Sequence, residues 1–230
     1  MNLSENIRLI RDKITEVAVG CGRKPEEILL VAVTKTVGVD LIQMAIDAGI
    51  QDIGENRVQE AKAKFGEVNR KVNWHLIGHL QTNKVKHAVE IFDLIQSVDR
   101  IEVAQEIQKR AVAINKKQRI LVQVNTSDEE SKSGCQPEEA DNLVKSISVL
   151  PNIQIEGLMT IGPLTNDSDK IRSSFQTLKK IFNRLSNMKL PNVIMKDLSM
   201  GMSQDYPIAI EEGATIIRVG TAIFGERKSN

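Results

Sequence analysis

The chain has 230 residues, 41 % of them hydrophobic, and its 31 basic and 30 acidic side chains leave a formal net charge of +1. That length fits one large domain, the apolar fraction is too high for a disordered chain, and evenly interspersed charge lacks the basic surface that sequence-independent nucleic-acid binding needs. No apolar run reaches the ~18 residues of a membrane span, residues 1–5 carry no basic stretch leading into an apolar core, as a secretory signal would, and Cys21 and Cys135 are too few for a disulfide framework. A protein of the reducing cytoplasm, with no membrane or nucleic-acid partner, is expected.

From the N-terminus, Leu3, Ile7, Ile10, Ile14 and Val17 lie on one stripe of a helix over 3–19. The continuous β-branched run 28–33 reads as a strand buried on both faces, followed by a helix over 39–48 that stops at Gly49. A short strand at 50–53 precedes a helix at 56–65, and a strand at 73–76 precedes a short helix beginning at 83–87. Residues 94–95 and 99–114 repeat the strand–helix unit, 120–124 is a strong fifth strand, and 137–149 is its helix. Strand-like 153–158, helical 168–185, and the closing segments 193–198, 206–212 and 214–219 complete the series. Eight strands alternating with helices at even spacing predict a (β/α)8 TIM barrel with an extra N-terminal helix. An open doubly wound sheet is the alternative, and even spacing favours closure. No linker rich in Pro, Gly or Ser interrupts 1–230, so one domain is expected.

Such a barrel places its site where strands end. Reading past each strand gives Lys35, Gly54-Glu55-Asn56, His75 with Gly78-His79, Ser97, Asn125, Met159-Thr160, Ser199-Met200-Gly201-Met202 and Arg218-Val219-Gly220-Thr221. Each alone fits a turn or a helix cap; their convergence on one rim points to a site. Lys35 follows an apolar run, so its amine is expected to emerge desolvated from the barrel wall, neutral and able to form a Schiff base. The loops after strands seven and eight are where barrels bind phosphate. Gly201 and Gly220 would admit an anion to backbone N–H groups, Ser199 and Thr221 would add hydroxyls, and 221–224 would form the short extra helix. Arg218 should face the mouth and contact a carboxylate, a phosphate or a ring nitrogen. His75 and His79 lack the setting of a metal pair. Trp74 reads as packing, and Lys62 and Lys64, like Lys179 and Lys180, as solvated helix faces.

The segments Val31-Ala32-Val33-Thr34-Lys35, Gly54-Glu55-Asn56-Arg57-Val58-Gln59-Glu60 and His75-Leu76-Ile77-Gly78-His79-Leu80-Gln81-Thr82-Asn83-Lys84 strongly resemble the pyridoxal phosphate homeostasis protein family. Gly157-Leu158-Met159-Thr160-Ile161, Leu198-Ser199-Met200-Gly201-Met202-Ser203 and 218–225 extend the resemblance over essentially the whole chain. It implies a barrel like the N-terminal domain of alanine racemase, with pyridoxal 5′-phosphate (PLP) bound as a Schiff base on Lys35. It further implies that Ser199, Gly201, Met202, Gly220 and Thr221 form the phosphate loops, that Arg218 faces the pyridine nitrogen, and that Asn56 lies at the cofactor's edge.

That resemblance implies a non-catalytic carrier, a monomer that takes up PLP and passes it to PLP-requiring enzymes. Arginine cannot protonate the pyridine nitrogen, so the ring is a shallow electron sink. Racemisation needs a second base opposite the lysine, and the single tyrosine, Tyr206, follows the phosphate loop. A racemase-like PLP enzyme is the alternative, and a Schiff-base aldolase acting on a sugar phosphate is a third reading.

Overall fold

The structure, a computed structural model, describes residues 2–127, 129 and 132–225. Eight parallel strands close in sequence order into a barrel: β1 (Leu29–Val33), β2 (Asp52–Glu55), β3 (Asn73–Leu76), β4 (Leu94–Val98), β5 (Gln118–Gln123), β6 (Ile153–Met159), β7 (Val193–Ser199) and β8 (Ile216–Val219). A helix follows each: α2 (Val39–Asp47), α3 (Val58–Phe65), α4 (Val85–Ile91), α5 (Ile101–Ala113), α6 (Ala140–Ser148), α7 (Ser168–Ser186), α8 (Tyr206–Glu211) and the single-turn α9 (Thr221–Phe224). The expected TIM barrel is thus the observed fold. Among the described residues no helix is long and apolar enough to cross a membrane.

The extra helix, α1 (Leu3–Gly20), begins where the Asn2 side chain accepts a hydrogen bond from the Ser4 N–H at 3.3 Å, which satisfies one of the orphan donors of the first turn. Its buried stripe is Ile7, Ile10, Ile14 and Ala18. Asn6 bonds the Ile223 carbonyl at 2.9 Å and Arg11 the Gly49 carbonyl at 2.6 Å, fastening α1 to α9 and to the turn between α2 and β2.

Side chains alternate between the two faces of the barrel wall. Ala32, Ile53, Trp74, Ile95, Ile120, Leu158, Leu198 and Ile217 point outward into the main core against the helices. Val31, Leu94, Leu121, Met159 and Ile216 form a separate apolar cluster in the lumen. Asp52, His75, Gln96, Ser199 and Arg218 have the same parity and are buried there too, so half of the lumen is polar. This explains why β2 lies two residues later than hydrophobicity suggests. Ile50 packs in the outer core before the strand begins, while Asp52, a poor strand former, is held inside by partners.

Two backbone features shape the barrel. Between Ile155 and Gly157 the register of β6 on β7 shifts, and a Cβ on Gly157 would collide with the Asp197 carbonyl oxygen. Only glycine permits that approach. Between the last two strands, β7 and β8, regular register is limited to one position, Ser199 opposite Ile216, whereas β5 and β6 pair along their whole length. Backbone bonds from Thr215 to Leu198, Met200 to Ile216 and Arg218 to Gly201 continue the β7–β8 contact.

Candidate functional site

The C-terminal mouth of the barrel holds a cleft of about 600 Å³ bounded by the segments after β1, β6, β7 and β8. Lys35, Met202, Arg218, Gly220 and Thr221 line it together, although they come from positions far apart in sequence. Lys35 is exposed in this cleft rather than embedded in the wall. The expectation of a desolvated amine is therefore corrected, because the chain turns at Lys35 and Thr36 as it leaves β1 and carries the side chain out over the mouth.

What holds that turn is a buried ion cluster on the helix side of the wall. Thr34 gives its hydroxyl proton to Glu55 Oε1 at 2.7 Å, and its carbonyl accepts from Lys64 Nζ at 2.8 Å. Lys64 also bonds Glu55 at 2.8 Å and Glu60 at 2.7 Å, and Glu60 accepts the Thr36 N–H at 2.5 Å. The residues on either side of Lys35 are thus clamped from β2 and α3, with Thr36 in the left-handed region at φ 59°. Burial pushes the Glu55 carboxyl above its ordinary range against its bonds to Lys64 and Thr34, and its Oε2 has no hydrogen-bond partner. Burial acts on Glu60 in the same direction, but Lys64 and the Thr36 N–H outweigh it and hold that carboxyl low. Lys64 is therefore no solvated face; α3 turns it inward, whereas Lys62 on the same helix is exposed.

Arg218 is buried at the floor of the cleft. Its Nη1 donates to Ser199 Oγ at 2.5 Å and its Nη2 to the Thr160 carbonyl at 2.7 Å. Burial lowers its pKa to about 10, opposed by the negative charge of Asp205. Beneath it a file of polar groups continues across the lumen. Ser199 donates to Gln96 Oε1 at 2.6 Å, Gln96 Nε2 meets His75 Nδ1 at 2.8 Å, and His75 Nε2 meets Asp52 Oδ1 at 3.0 Å.

The two loops expected to hold phosphate meet side by side. The Gly220 N–H donates to Ser203 Oγ at 3.3 Å, and the Met202 N–H to Asp205 Oδ1 at 2.5 Å. Burial raises the Asp205 carboxyl, against the Met202 N–H and the Arg218 charge. Gly201 sits behind the cleft at φ +91°, and a Cβ there would come within 2.6 Å of the Ala209 Cβ. That glycine shapes the loop. Ser199 is placed differently from expectation: it is wholly buried, and its proton points to Gln96 and not to the cleft. Asn56 also lies off the lining; its backbone packs so closely on Gly78 that a Cβ there would collide with the Asn56 carbonyl.

Sequence reading missed the wall formed by Pro163, Leu164 and Thr165 after β6, and it missed Asp205. Lys132, bonded to Glu129 and to the Gly162 carbonyl, each at 2.8 Å, anchors that loop. The Gly162-Pro163 pair was the available signal of a fixed turn. Trp74 packs edge-on against Phe65, with ring centroids 5.5 Å apart, in the role expected of it.

Comparison with known proteins gives the family and the fold. Residues 2–228 match the alanine racemase N-terminal domain family. A pyridoxal phosphate homeostasis protein of Aquifex aeolicus is 41 % identical over 229 residues, covering 99 % of this chain and 100 % of the relative. A crystal structure of a Bifidobacterium adolescentis protein superposes with a TM-score of 0.93 at 39 % identity, covering 96 % of this chain and 94 % of that one. The structure of PipY from Synechococcus elongatus PCC7942 with PLP bound superposes at 0.85 with 34 % identity, covering 97 % of this chain and 100 % of that one. By sequence over its whole length and by the shape of its barrel, the chain belongs to the alanine racemase N-terminal domain family and, within it, to the pyridoxal phosphate homeostasis proteins.

Proposed function

We propose that the protein binds pyridoxal 5′-phosphate in the mouth cleft, as a Schiff base on Lys35, and holds it without catalysis for the homeostasis of this cofactor and the amino-acid metabolism linked to it. The observation that carries the reading is the lining of one cleft by an exposed primary amine, a buried guanidinium and the paired Ser203 and Gly220-Thr221 loops. These match, in order, an aldehyde, a ring nitrogen and a phosphate. PipY, a relative whose structure carries PLP, supports the same ligand.

When bound, the cofactor supplies an aldehyde carbon and an aromatic ring able to accept electrons. Lys35 would hold the aldehyde carbon through its Nζ. Thr221, Gly220 and Met202 would contact the phosphate side, and Gly201 would keep the loop in its shape. Arg218 can only donate hydrogen bonds, so it would leave the ring nitrogen without a proton and the ring a weak electron sink. Tyr206 is buried on α8, is not among the residues lining the cleft, and its hydroxyl feels the charges of Lys13 and Glu16 on α1. Among the described lining residues the titratable groups are Lys35, Asp205 and Arg218, and Asp205 is engaged with the loop backbone. These placements favour holding over racemisation. In this reading the protein works as a cytoplasmic monomer, with PLP-requiring enzymes as its recipients.

Borohydride reduction followed by peptide mass mapping tests the ligand and its lysine together. A phosphopyridoxyl adduct on Lys35 is expected; an adduct on another lysine removes Lys35 from the role. A colourless protein that takes up no PLP would return the Schiff-base aldolase reading. Deuterium exchange at the α-carbon of added amino acids should be negligible. Robust exchange abolished by Lys35→Ala would make the protein a racemase-like enzyme.

A further inference from the structure

Arg218 is the group on which the weak electron sink depends. Its Nη2 is held by the Thr160 carbonyl at 2.7 Å, while the partner of its Nη1, Ser199, leads away from the cleft into the lumen. Five side chains from five strands form one continuous file: Arg218 on β8, Ser199 on β7, Gln96 on β4, His75 on β3 and Asp52 on β2. All five are buried.

The hydrogen-bonding capacity of the two ends decides the direction of the whole file. A guanidinium has no acceptor, so Ser199 Oγ must accept from Arg218 and send its own proton onward. The atom of Gln96 facing Ser199 must then be Oε1, which leaves its amide N–H to face His75 Nδ1. That nitrogen must accept, so His75 carries its proton on Nε2 and directs it to Asp52. A carboxylate accepts without needing to donate, and Asn73 Nδ2 supplies a second proton to the same oxygen at 3.0 Å. Every proton along the file points from the cation to the anion. The reversed arrangement would require Ser199 Oγ to accept from both Arg218 and Gln96 and a doubly protonated His75 to donate to Gln96 and Asp52 together, whereas with a neutral imidazole only the order given satisfies every link. Bonds aligned in one sense polarise one another in a low-dielectric interior, which tightens each link.

We propose that Gln96 and His75 are positioning residues: acting through Ser199, they hold the Arg218 guanidinium in one orientation at the floor of the cleft. The consequence for a bound ring rests on the PLP reading above, while the orientation itself does not. Gln96 is central because it is the link that crosses the lumen from β4 to β7. Its amide presents an acceptor to Ser199 and a donor to His75 at once, a pairing that a carboxylate or an aliphatic side chain cannot reproduce.

Nitrogen NMR of the ligand-free protein tests the direction first. The three imidazoles can be assigned with His79→Gln and His87→Gln, and His75 is expected to be protonated on Nε2 and bare on Nδ1. A proton on Nδ1, or a mixture of tautomers, overturns the proposal whatever the protein binds. The guanidinium signals that vanish in Arg218→Lys are expected as separate, slowly rotating Nη resonances. They should merge in Gln96→Leu and separate again in Gln96→Glu, which restores an acceptor toward Ser199. Separate resonances persisting in Gln96→Leu overturn the proposal. If that variant does not fold, Ser199→Ala serves, with merged Nη signals and a mixed His75 tautomer expected and unchanged spectra refuting. In protein loaded with PLP, the absorption maximum should shift in Gln96→Leu and return toward the parent in Gln96→Glu. Failure of the parent protein to take up PLP would end the functional reading and leave the NMR result on Arg218 standing.

Discussion

Replacing Lys64 by methionine keeps the length of the side chain and deletes its charge, which isolates what the ion cluster behind Lys35 contributes. Lys64 Nζ serves the Thr34 carbonyl at 2.8 Å, Glu55 at 2.8 Å and Glu60 at 2.7 Å. The side chains of Lys64 and Glu55 are 10 % and 0 % exposed, so little solvent screens the pair. Removing one member of such a pair costs about 3–5 kcal/mol, because the partner charge stays buried without compensation. The cost should depend on pH, with a sign fixed by the two carboxyls. Glu55 already has a folded-state pKa above the ordinary carboxyl range. It therefore favours the folded state when protonated, and stability falls as pH rises through its folded pKa. Glu60 is held low, so its contribution is present above the unfolded value and is lost as pH falls through its folded pKa. Without Lys64, Glu55 rises further and Glu60 loses its depression. The penalty should be larger at the higher of two pH values and shrink at the lower, as Glu55 takes up its proton. Urea unfolding followed by Trp74, the single tryptophan and buried in the outer core, measures it. A penalty below about 1 kcal/mol, or one equal at both pH values, would refute the assignment of a buried, mutually compensated cluster.

Thr221→Ala deletes a hydroxyl donor at the phosphate side of the cleft, for which charge-assisted bonds contribute about 1.5–3 kcal/mol. PLP retention should weaken roughly tenfold or more, while unphosphorylated pyridoxal should bind as before; equal losses would mean a distorted loop. Gly157→Ala forces a Cβ onto the Asp197 carbonyl, and denaturant unfolding should show a loss well above the ~1 kcal/mol typical of point substitutions. Iodoacetamide should label the folded protein once, on exposed Cys21. Burial, aided by Glu139 and Asp99, pushes the Cys135 thiol up to about 12, so mass spectrometry should find a second label only after unfolding.

The alternation of eight strands with helices was legible because strands such as β1 and β5 are continuous apolar runs and helices such as α1 repeat a period near 3.6, signals carried by local sequence. β2, with Asp52 and Glu55 in it, gives the weaker signal and lies two residues later than hydrophobicity suggests. The placements of Lys35, Arg218, Gly220 and Thr221 followed from where strands end. The departures share one cause. Lys64 and Ser199 have side chains whose environment is decided by tertiary packing, the fold of α3 back onto β2 and β1 for the one and the meeting of β4 with β7 across the lumen for the other. A lysine two residues from another lysine reads as solvent-facing until the buried Glu55 that receives it is known. Asp205 escaped notice because its partner, the Met202 N–H, is a backbone group carrying no sequence signature.

The thin pairing of β7 with β8 has a consequence for how such a barrel would live with its cargo. One register pair joins the strands that carry Ser199 and Arg218, and the loops leaving both strands line the same cleft. A ligand gripping both loops acts as a clasp across a joint with little regular pairing. Any ligand that binds only the folded state adds about 2.7 kcal/mol at a hundredfold excess over its dissociation constant, and here that gain would be felt across the β7–β8 joint. Amide exchange at 198–200 and 216–219 would then slow as the cleft fills. The durability of the vessel would report how much of the cell's supply it is carrying.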